Sequence, residues 1–251
     1  ARVCHSPSLK GMRTTIGEGA ATNPFDDIYK TENIVVMGSN TTEAHPIVAN
    51  RMIKAARDKT ATLSVIDVRQ TQLSKFGEQL IIPYEANLLV LNMMAYVILS
   101  EKLYNKEFID SRCTGFEEYK DLILNDPYAN PEYMKNVSGY EYLTEQIPTV
   151  ARLYATKKSM FFWGLGITEH LDGSYAVMAI THLAMMTGNI GKSGTGLMPL
   201  RGQNNVQGAC DTGCLPYYGP DYTVPDEIGL MTPQLIDEMI AGRIKAMYVM
   251  G

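Results

Sequence analysis

The sequence has few cysteines and no long hydrophobic run. Four cysteines occur among its 251 residues: Cys4, Cys113, Cys210 and Cys214. They are too few and too widely spaced for a disulfide-stabilised scaffold. The longest apolar stretch extends from Leu88 to Leu99, is interrupted by Asn92, and is too short to cross a bilayer as a helix. We therefore expect a buried helix there and no membrane segment in this chain.

An excess of positive charge is also lacking. The chain has 22 Lys and Arg against 27 Asp and Glu, which gives a formal net charge of −5. Without a basic cluster this balance argues against a nucleic-acid partner. The composition, 45% hydrophobic and 20% charged, is that of a globular protein with a large core. The length fits one large domain or two smaller ones.

Short apolar runs alternate with amphipathic stretches along most of the chain. Strands are predicted at Ile34–Gly38, Leu63–Ile66, Leu80–Ile82 and Met160–Trp163. Helices are predicted over residues 46–59, 87–101, 115–124, 144–156 and 174–187. Alternating strands and helices predict an α/β fold, a three-layer αβα arrangement with a mainly parallel, Rossmann-like sheet.

Two stretches lack a clear period. Residues 125–140 contain Pro127, Pro131 and Gly139 and are predicted to form a surface excursion. Residues 188–221 are rich in Gly, Asn and Asp. A loop of that length inside a compact domain is usually functional, so we expect a ligand-binding surface there.

The last part of the chain suggests a second α/β unit. Thr232 is a predicted N-cap with Pro233 as the first helical residue of a helix that ends at Gly242. A strand is predicted over residues 245–251, which end in Val-Met-Gly as residues 36–38 do. A chance repeat is the alternative. We predict one domain over residues 1–203 and the truncated start of a similar one over 204–251.

Polar and small residues follow the predicted strands. Ligands of open parallel sheets lie beyond the carboxyl ends of the strands. Gly38 allows a tight exit from the first strand toward a helix start that suits a phosphate. Asp67 at the second strand can hold ribose hydroxyls, Arg69 can pair with a phosphate, and Gly164 and Gly166 flank the fourth strand's exit. A plain turn is the alternative at each site, but together they favour a dinucleotide.

Several tempting motifs are incomplete. Gly191-Lys192-Ser193 lacks the earlier glycine of a phosphate loop, because that position holds Met186. The spacing of Cys210 and Cys214 does not match a zinc knuckle. Three histidines show no metal-ligand spacing and are interpreted as structural or surface residues: His45, His170 and His182.

Two polar segments at opposite ends of the chain carry the strongest chemical signal. The first, Arg2 to His5, offers the soft thiolate of Cys4 beside an imidazole that can move a proton. The second, Arg201 to Asp211, combines hydrogen-bonding side chains with glycines and has neither helical nor strand period. Packing does not explain such a segment, whereas ligand binding does.

These two segments resemble the active-site segments of the molybdenum- or tungsten-dependent formate dehydrogenases, within the molybdopterin oxidoreductase superfamily. Other stretches are similar to family segments in the same order: Gly38-Ser39-Asn40, Glu43-Ala44-His45-Pro46, Asp67-Val68-Arg69, Trp163-Gly164-Leu165-Gly166 and Thr187-Gly188-Asn189. The resemblance implies a bis(molybdopterin guanine dinucleotide) cofactor with Mo or W. It implies Cys4 as the metal ligand, His5 as the proton acceptor and Arg201 as the group that orients formate. Cofactor contacts are expected from Gly38, Asn40, Glu43, Asp67, Arg69, Leu165, Gly166, Glu169, Gln203 and Asn204.

Cys4 followed by His5 favours formate as the substrate, since periplasmic nitrate reductases resemble this chain but carry Met after the cysteine. The alternatives are such a nitrate reductase or another molybdopterin oxidoreductase, and a non-catalytic relative of the large iron–sulfur subunit of respiratory complex I. An ordinary nucleotide-binding enzyme, such as a transferase, leaves Arg201 to Asp211 unexplained. We expect a cytoplasmic location, with a periplasmic one as the alternative.

The resemblance also indicates an internal fragment of a catalytic subunit. The family's iron–sulfur segment of closely spaced cysteines does not occur in this sequence. The parent protein is expected to hold an iron–sulfur cluster that this chain does not ligate. It is expected to pass electrons to an iron–sulfur subunit and a downstream redox partner. The isolated piece is expected to be inactive.

Overall fold

A computed structural model describes residues 4–137 and 139–249 of the chain. The described residues form two compact units. The sheet unit extends from Pro7 to Leu200, and the discontinuous unit joins the residues up to Ser6 with those from Arg201 onward. The predicted domain division at residues 203 and 204 stays a prediction. Within the described part, no helix combines the length and apolar composition that a membrane span requires.

The sheet unit is built on five parallel strands within the described residues. They are β1 (Asn33–Met37), β2 (Thr62–Asp67), β3 (Glu78–Ile81), β4 (Ser159–Trp163) and β5 (Gly196–Pro199). Their order across the sheet is β3-β2-β1-β4-β5, and every neighbouring pair is parallel. The predicted α/β class with a parallel sheet is confirmed.

Both faces of the sheet are buried, because successive side chains of a strand point to opposite sides. Val35 and Met37 of β1 belong to the core on one face, and Ile34 and Val36 belong to the core on the other. All four side chains are fully buried. This two-sided burial is why the strands read in the sequence as continuous apolar runs.

The helices of the sheet unit cover both faces and produce the three layers. They are α1 (Ser6–Ile16), α2 (Thr41–Ala44), α3 (Pro46–Arg57), α4 (Asn87–Ser100), α5 (Lys106–Arg112), α6 (Phe116–Asn125), α7 (Pro131–Met134), α8 (Leu143–Thr156), α9 (Leu165–Thr168) and α10 (Gly173–Thr187). Residues of α1, α4, α8 and α10 share one core with the sheet, and residues of α3 share the other. The predicted apolar helix is α4, which is largely buried.

The stretch predicted as a surface excursion, residues 125–140, contains packed structure. A 3₁₀ turn at Pro127–Ala129 and helix α7 follow each other there. Asp126 and Asn130 accept backbone N–H bonds from Tyr128 and Glu132, both at 3.0 Å, and so begin these turns. Ala129 and Met134 are buried. Pro127 and Pro131, which suggested a loop, are the first residues of these two turns.

The discontinuous unit contains α11 (Val206–Asp211), a 3₁₀ turn at Pro220–Tyr222 and α12 (Thr232–Ile240). The prediction that residues 188–221 lack regular structure is therefore wrong in part, since β5 and α11 lie in that stretch.

Two boundaries near the carboxyl end also differ from the prediction. Helix α12 begins at Thr232 and Met231 occupies the cap position, where its N–H donates to Gln234 Oε1 at 2.9 Å. Residues 245–249 are not in a strand, and Met250 and Gly251 lie outside the described residues. An apolar alternation becomes a strand only when its backbone pairs with a neighbour, and residues 245–249 have no such pairing among the described residues.

The strand order reverses its direction of growth at β1. From β1 the chain builds β2 and β3 on one side, and then β4 and β5 on the other. The connections that follow β1 and β4 therefore lead to opposite halves of the sheet, although the two strands are neighbours. Ligands of open α/β sheets bind at such a switch point, outside the carboxyl ends of the strands.

Candidate functional site

The loops after β1 and β4 are held against each other by glycines. The Gly166 N–H donates to the Gly38 carbonyl oxygen at 3.0 Å, and Gly38 has a φ of +59°. A methyl group on Gly38 would lie 2.7 Å from the Gly166 carbonyl carbon. Both glycines are thus required for the close approach of the two loops.

The loop after β1 makes one helical turn before the predicted helix. Asn40 stands before α2, and its carbonyl oxygen accepts the N–H groups of Glu43 at 3.2 Å and Ala44 at 3.0 Å. Those two donors are used within α2, which precedes the helix predicted over residues 46–59. The side chain of Glu43 is exposed.

Asp67 provides a buried carboxylate at the end of β2. It is 8% exposed and accepts the Arg69 N–H at 3.3 Å. Burial raises the pKa of this carboxyl, and the backbone N–H groups of Arg69 and Val68 partly oppose the rise. The Arg69 side chain is exposed. A carboxylate held in this way is a good acceptor for ligand hydroxyls, and the exposed guanidinium suits a phosphate.

The loop after β4 carries the other predicted contacts of the sheet unit. Leu165 is half-buried, whereas Gly166 and Glu169 are exposed. Buried Asn87, at the first position of α4, donates from Nδ2 to the Gly166 carbonyl oxygen at 2.8 Å. The sequence interpretation missed Asn87, although a lone amide at the start of an apolar helix was a usable signal. Because β2, β1 and β4 are adjacent, the residues that follow them share one edge of the sheet.

In the discontinuous unit, the two terminal segments are in contact. The Gly202 N–H donates to Cys4 Sγ at 3.3 Å across 198 positions of sequence. Cys4 is 7% exposed and His5 is 4% exposed. Arg201 immediately precedes Gly202, and its guanidinium interacts electrostatically with Cys4. His5 follows Cys4 directly and is buried with it.

Arg201 is a half-buried cation in this arrangement. Burial lowers the pKa of its guanidinium, and interactions with Cys4, Cys210 and Tyr222 oppose that shift. An arginine stays protonated in proteins, so the group remains a cation at neutral pH. A partly desolvated guanidinium attracts an anion more strongly than one in water, because the lower local dielectric screens less.

Gln203 and Asn204 are exposed in the turn between Arg201 and α11. Asn205 follows with a φ of +51° and begins α11. The two preceding side chains therefore present amide donors and acceptors outside the helix, where a polar ligand can reach them.

The donor set at Cys4 fits a soft metal. A backbone N–H that donates to the sulfur stabilises a thiolate and tunes the metal it binds. Within the described residues, no group of three or more His, Cys, Asp and Glu side chains is arranged to hold a metal ion. In the sheet unit, the buried carboxylate of Asp67 and the exposed guanidinium of Arg69 are the polar groups at the end of β2.

Comparison with known proteins identifies the family. The family model described as molybdopterin oxidoreductase matches residues 1–251. The chain is 40% identical to the F420-dependent formate dehydrogenase subunit alpha of Methanocaldococcus jannaschii over 270 aligned residues, covering 100% of this chain and 39% of that protein. It is 37% identical to formate dehydrogenase H of Escherichia coli over 272 aligned residues, covering 100% of this chain and 37% of that protein.

A solved structure supports the fold. Acetylene hydratase from Pelobacter acetylenicus matches with a TM-score of 0.67 and 22% identity, over 78% of this chain and 26% of that one.

The chain belongs to the molybdopterin oxidoreductase family. It spans less than two fifths of the length of the two formate dehydrogenases above. The family implies a molybdopterin cofactor with Mo or W.

Proposed function

We propose that this chain is part of a formate dehydrogenase catalytic subunit, which oxidises formate to CO2 at a Mo or W bis(molybdopterin guanine dinucleotide) centre. The Gly202–Cys4 hydrogen bond carries the proposal, because it unites the Cys4-His5 pair with the segment that begins at Arg201. The similarity to two formate dehydrogenases supports the choice of substrate. Electrons are proposed to leave through iron–sulfur clusters to an electron-transfer subunit.

Arg201 is the proposed formate-binding group. Formate is a small carboxylate, and a guanidinium can donate to both of its oxygens in a planar, bidentate pair. The partial burial of Arg201 strengthens this attraction. A substrate fixed through both oxygens presents its C–H bond in one direction, and such positioning can supply several kcal/mol of the barrier reduction.

Cys4 and His5 are the proposed reacting groups of the protein. Formate gives up two electrons and one proton when it becomes CO2. The metal-pterin cofactor, when bound, supplies the two-electron chemistry. The Cys4 thiolate would hold the metal, with its charge stabilised by the Gly202 N–H. The imidazole of His5 would accept the proton, and its burial keeps bulk water away from the transfer.

Residue chemistry suggests cofactor contacts within each unit taken by itself. Asp67 would accept hydroxyl protons of a ribose, and Arg69 would pair with a phosphate. Gln203 and Asn204 would hydrogen-bond the pterin through their exposed amides. Gly38, Asn40, Glu43, Leu165, Gly166 and Glu169 remain proposed contacts on the strand-end loops.

The test uses the full-length subunit, with formate-dependent reduction of a low-potential dye as the assay. Arg201→Lys should lower kcat/KM for formate about 100-fold, because a lysine cannot form the bidentate pair. Arg243→Lys is the matched control, since Arg243 lies in the same unit but only pairs with Glu238 at an exposed position. Equal activities of the two variants would contradict the role of Arg201.

Metal content separates this proposal from a non-catalytic relative. Wild-type full-length protein should contain Mo or W by elemental analysis, and Cys4→Ala should lose most of it. A metal-free wild-type protein without formate oxidation would instead favour the non-catalytic alternative. We further expect no formate oxidation by the 251-residue chain alone, so turnover by that chain would contradict the dependence on the rest of the protein.

A further inference from the structure

A strained segment lies next to the Arg201 region. Asp221 and Tyr222 have φ values of +52° and +58°, although neither is glycine. Backbone of this kind persists only where surrounding contacts hold it, and it concentrates at functional sites. Gly213, at +86°, lets the chain return closely, since a methyl group there would lie 2.6 Å from the Pro220 nitrogen. The strained turn is therefore folded back toward α11.

The side chain of Tyr222 ties two residues of α11 together. Its hydroxyl accepts from Gln207 Nε2 at 2.7 Å and donates to Asp211 Oδ1 at 3.0 Å. Gln207 Nε2 also donates to Asp211 Oδ1, at 2.9 Å. Gln207 and Asp211 are four positions apart and lie on one face of the helix. The three side chains form a closed set of hydrogen bonds.

Helix α11 needs such a tie because it has no buried residue. A helix of six residues is not stable through its own backbone bonds, so contacts from outside decide whether it forms. Burial and the bond to Asp211 raise the pKa of Tyr222, so the hydroxyl keeps its proton and its donor role at neutral pH. A negative charge on Tyr222 or on Cys210 of α11 would raise the pKa of Arg201, so both side chains lie within electrostatic range of the guanidinium. The tie is thus close to the proposed formate-binding group.

We propose that Tyr222 is a positioning residue of the carboxylate site: its hydroxyl fixes Gln207 and Asp211, and thereby fixes the segment that carries Arg201. This inference rests on the proposed function of Arg201. It predicts that removal of the Tyr222 hydroxyl weakens the binding of carboxylates. We expect the loss of the hydroxyl to weaken the affinity for formate and to leave the rate of the chemical step nearly unchanged.

The experiment compares Tyr222→Phe with Tyr217→Phe in the full-length protein. Tyr217 belongs to the same aromatic cluster, through its contact with Tyr218, but makes no hydrogen bond to α11 among the described residues. Tyr222→Phe should raise the KM for formate and the inhibition constant of acetate about tenfold each, the worth of one or two hydrogen bonds. The kcat should change less than about threefold. Tyr217→Phe should change none of these values.

Amide hydrogen exchange supplies the readout that does not depend on turnover. Exchange in Val206–Asp211 should become faster in Tyr222→Phe and stay unchanged in Tyr217→Phe. Asp211→Asn removes the charge but keeps an acceptor, so it should give a smaller rise in KM and a smaller increase in exchange. This second variant keeps the test informative when Tyr222→Phe folds poorly.

Three results would overturn the inference. Faster exchange with unchanged formate and acetate constants means that the tie only stabilises α11. Unchanged exchange means that Tyr222 does not hold the helix, and equal behaviour of the two phenylalanine variants removes the role of the hydroxyl. A wild-type protein that oxidises no formate contradicts the proposed function instead. In that case acetate affinity, measured by calorimetry on wild type and Tyr222→Phe, still decides the positioning role.

Discussion

Asp27 is a buried carboxylate whose replacement should weaken the sheet unit measurably. It lies in the 3₁₀ turn before β1 and is 4% exposed. It accepts from Asn23 Nδ2 at 2.8 Å, Lys30 Nζ at 3.1 Å, Ser193 Oγ at 2.9 Å and the Gly194 N–H at 3.3 Å. The last two residues precede β5, so one carboxylate connects two distant parts of the chain.

The electrostatics give the direction of the pH dependence. The Asn23 amide, with Lys30, Ser193 and Gly194, holds the pKa of Asp27 well below its ordinary value of 3.8, although burial opposes the shift. As the pH falls, the unfolded chain therefore binds this proton before the folded chain does. The stabilisation from Asp27 is complete when the pH is above the pKa that this carboxyl has in the unfolded chain. It is lost as the pH falls from that pKa toward the lower pKa of the folded chain.

Asp27→Asn should lower the free energy of unfolding by about 2–4 kcal/mol. The asparagine side chain is neutral, and its N–H group would face the N–H and O–H donors from which the carboxylate now accepts. Asp110→Asn is the control, because Asp110 pairs with Lys106 at 2.7 Å while 60% exposed. Its expected cost is below about 0.5 kcal/mol. Urea unfolding of the 251-residue chain measures both values.

The pH series provides the second readout. The difference between wild type and Asp27→Asn should be constant from about pH 8 to about pH 5 and should shrink below about pH 4. A cost equal to that of Asp110→Asn would refute the reasoning, and so would a difference that persists unchanged into acid.

Three further predictions concern single residues of the sheet unit. Gly38→Ala should lower the free energy of unfolding by about 2–4 kcal/mol, because of a strained φ and the clash with Gly166. Gly17→Ala is the control, at φ +83° with open space around it, and should cost about 1 kcal/mol in the same urea unfolding assay. Equal costs would contradict the role of the clash. Tyr154→Phe should raise stability by about 1 kcal/mol in the same assay, because the buried hydroxyl lacks a partner within the described structure; a loss of stability would point to a bridging partner. Burial lowers the pKa of His182, so wild-type stability should fall as the pH drops through the ordinary value of 6.5. His182→Phe should flatten that slope in thermal melts, and an unchanged slope would assign it to other groups.

Much of the sheet unit was predictable because its signals are local. The four predicted strands are confirmed. Each was recognisable because it is an apolar run bounded by Gly, Pro or polar residues. Strand β5 was missed because Gly196–Pro199 offers only two apolar side chains inside a Gly-rich stretch. Helix α1 was missed as well. It contains Gly11, where a methyl group would lie 2.7 Å from Val177 Cγ1, so close packing against α10 explains a residue that lowers helix propensity.

The candidate site depended less on local pattern. The polar character of Arg201 to Asp211 and the chemistry of Cys4 and His5 were visible in the sequence. Their convergence was expected only from the family resemblance, because no periodicity links residues 198 positions apart. Burial decides the electrostatics at Asp67 and Arg201, and burial follows from tertiary packing rather than from neighbours in the sequence. The catalytic and cofactor roles of these residues stay predictions.

The discontinuous unit cannot assemble in the cell until the ribosome has translated its second segment. The Gly202–Cys4 pair forms only after the ribosome has added the 198 residues from the one after Cys4 up to Gly202. At about 5–20 residues per second, the thiol of Cys4 waits about 10–40 s for that partner. Throughout this delay the Gly202 N–H does not yet exist to donate to the sulfur proposed to ligate the metal. We therefore expect cofactor loading to follow translation of Arg201 rather than accompany the emergence of Cys4.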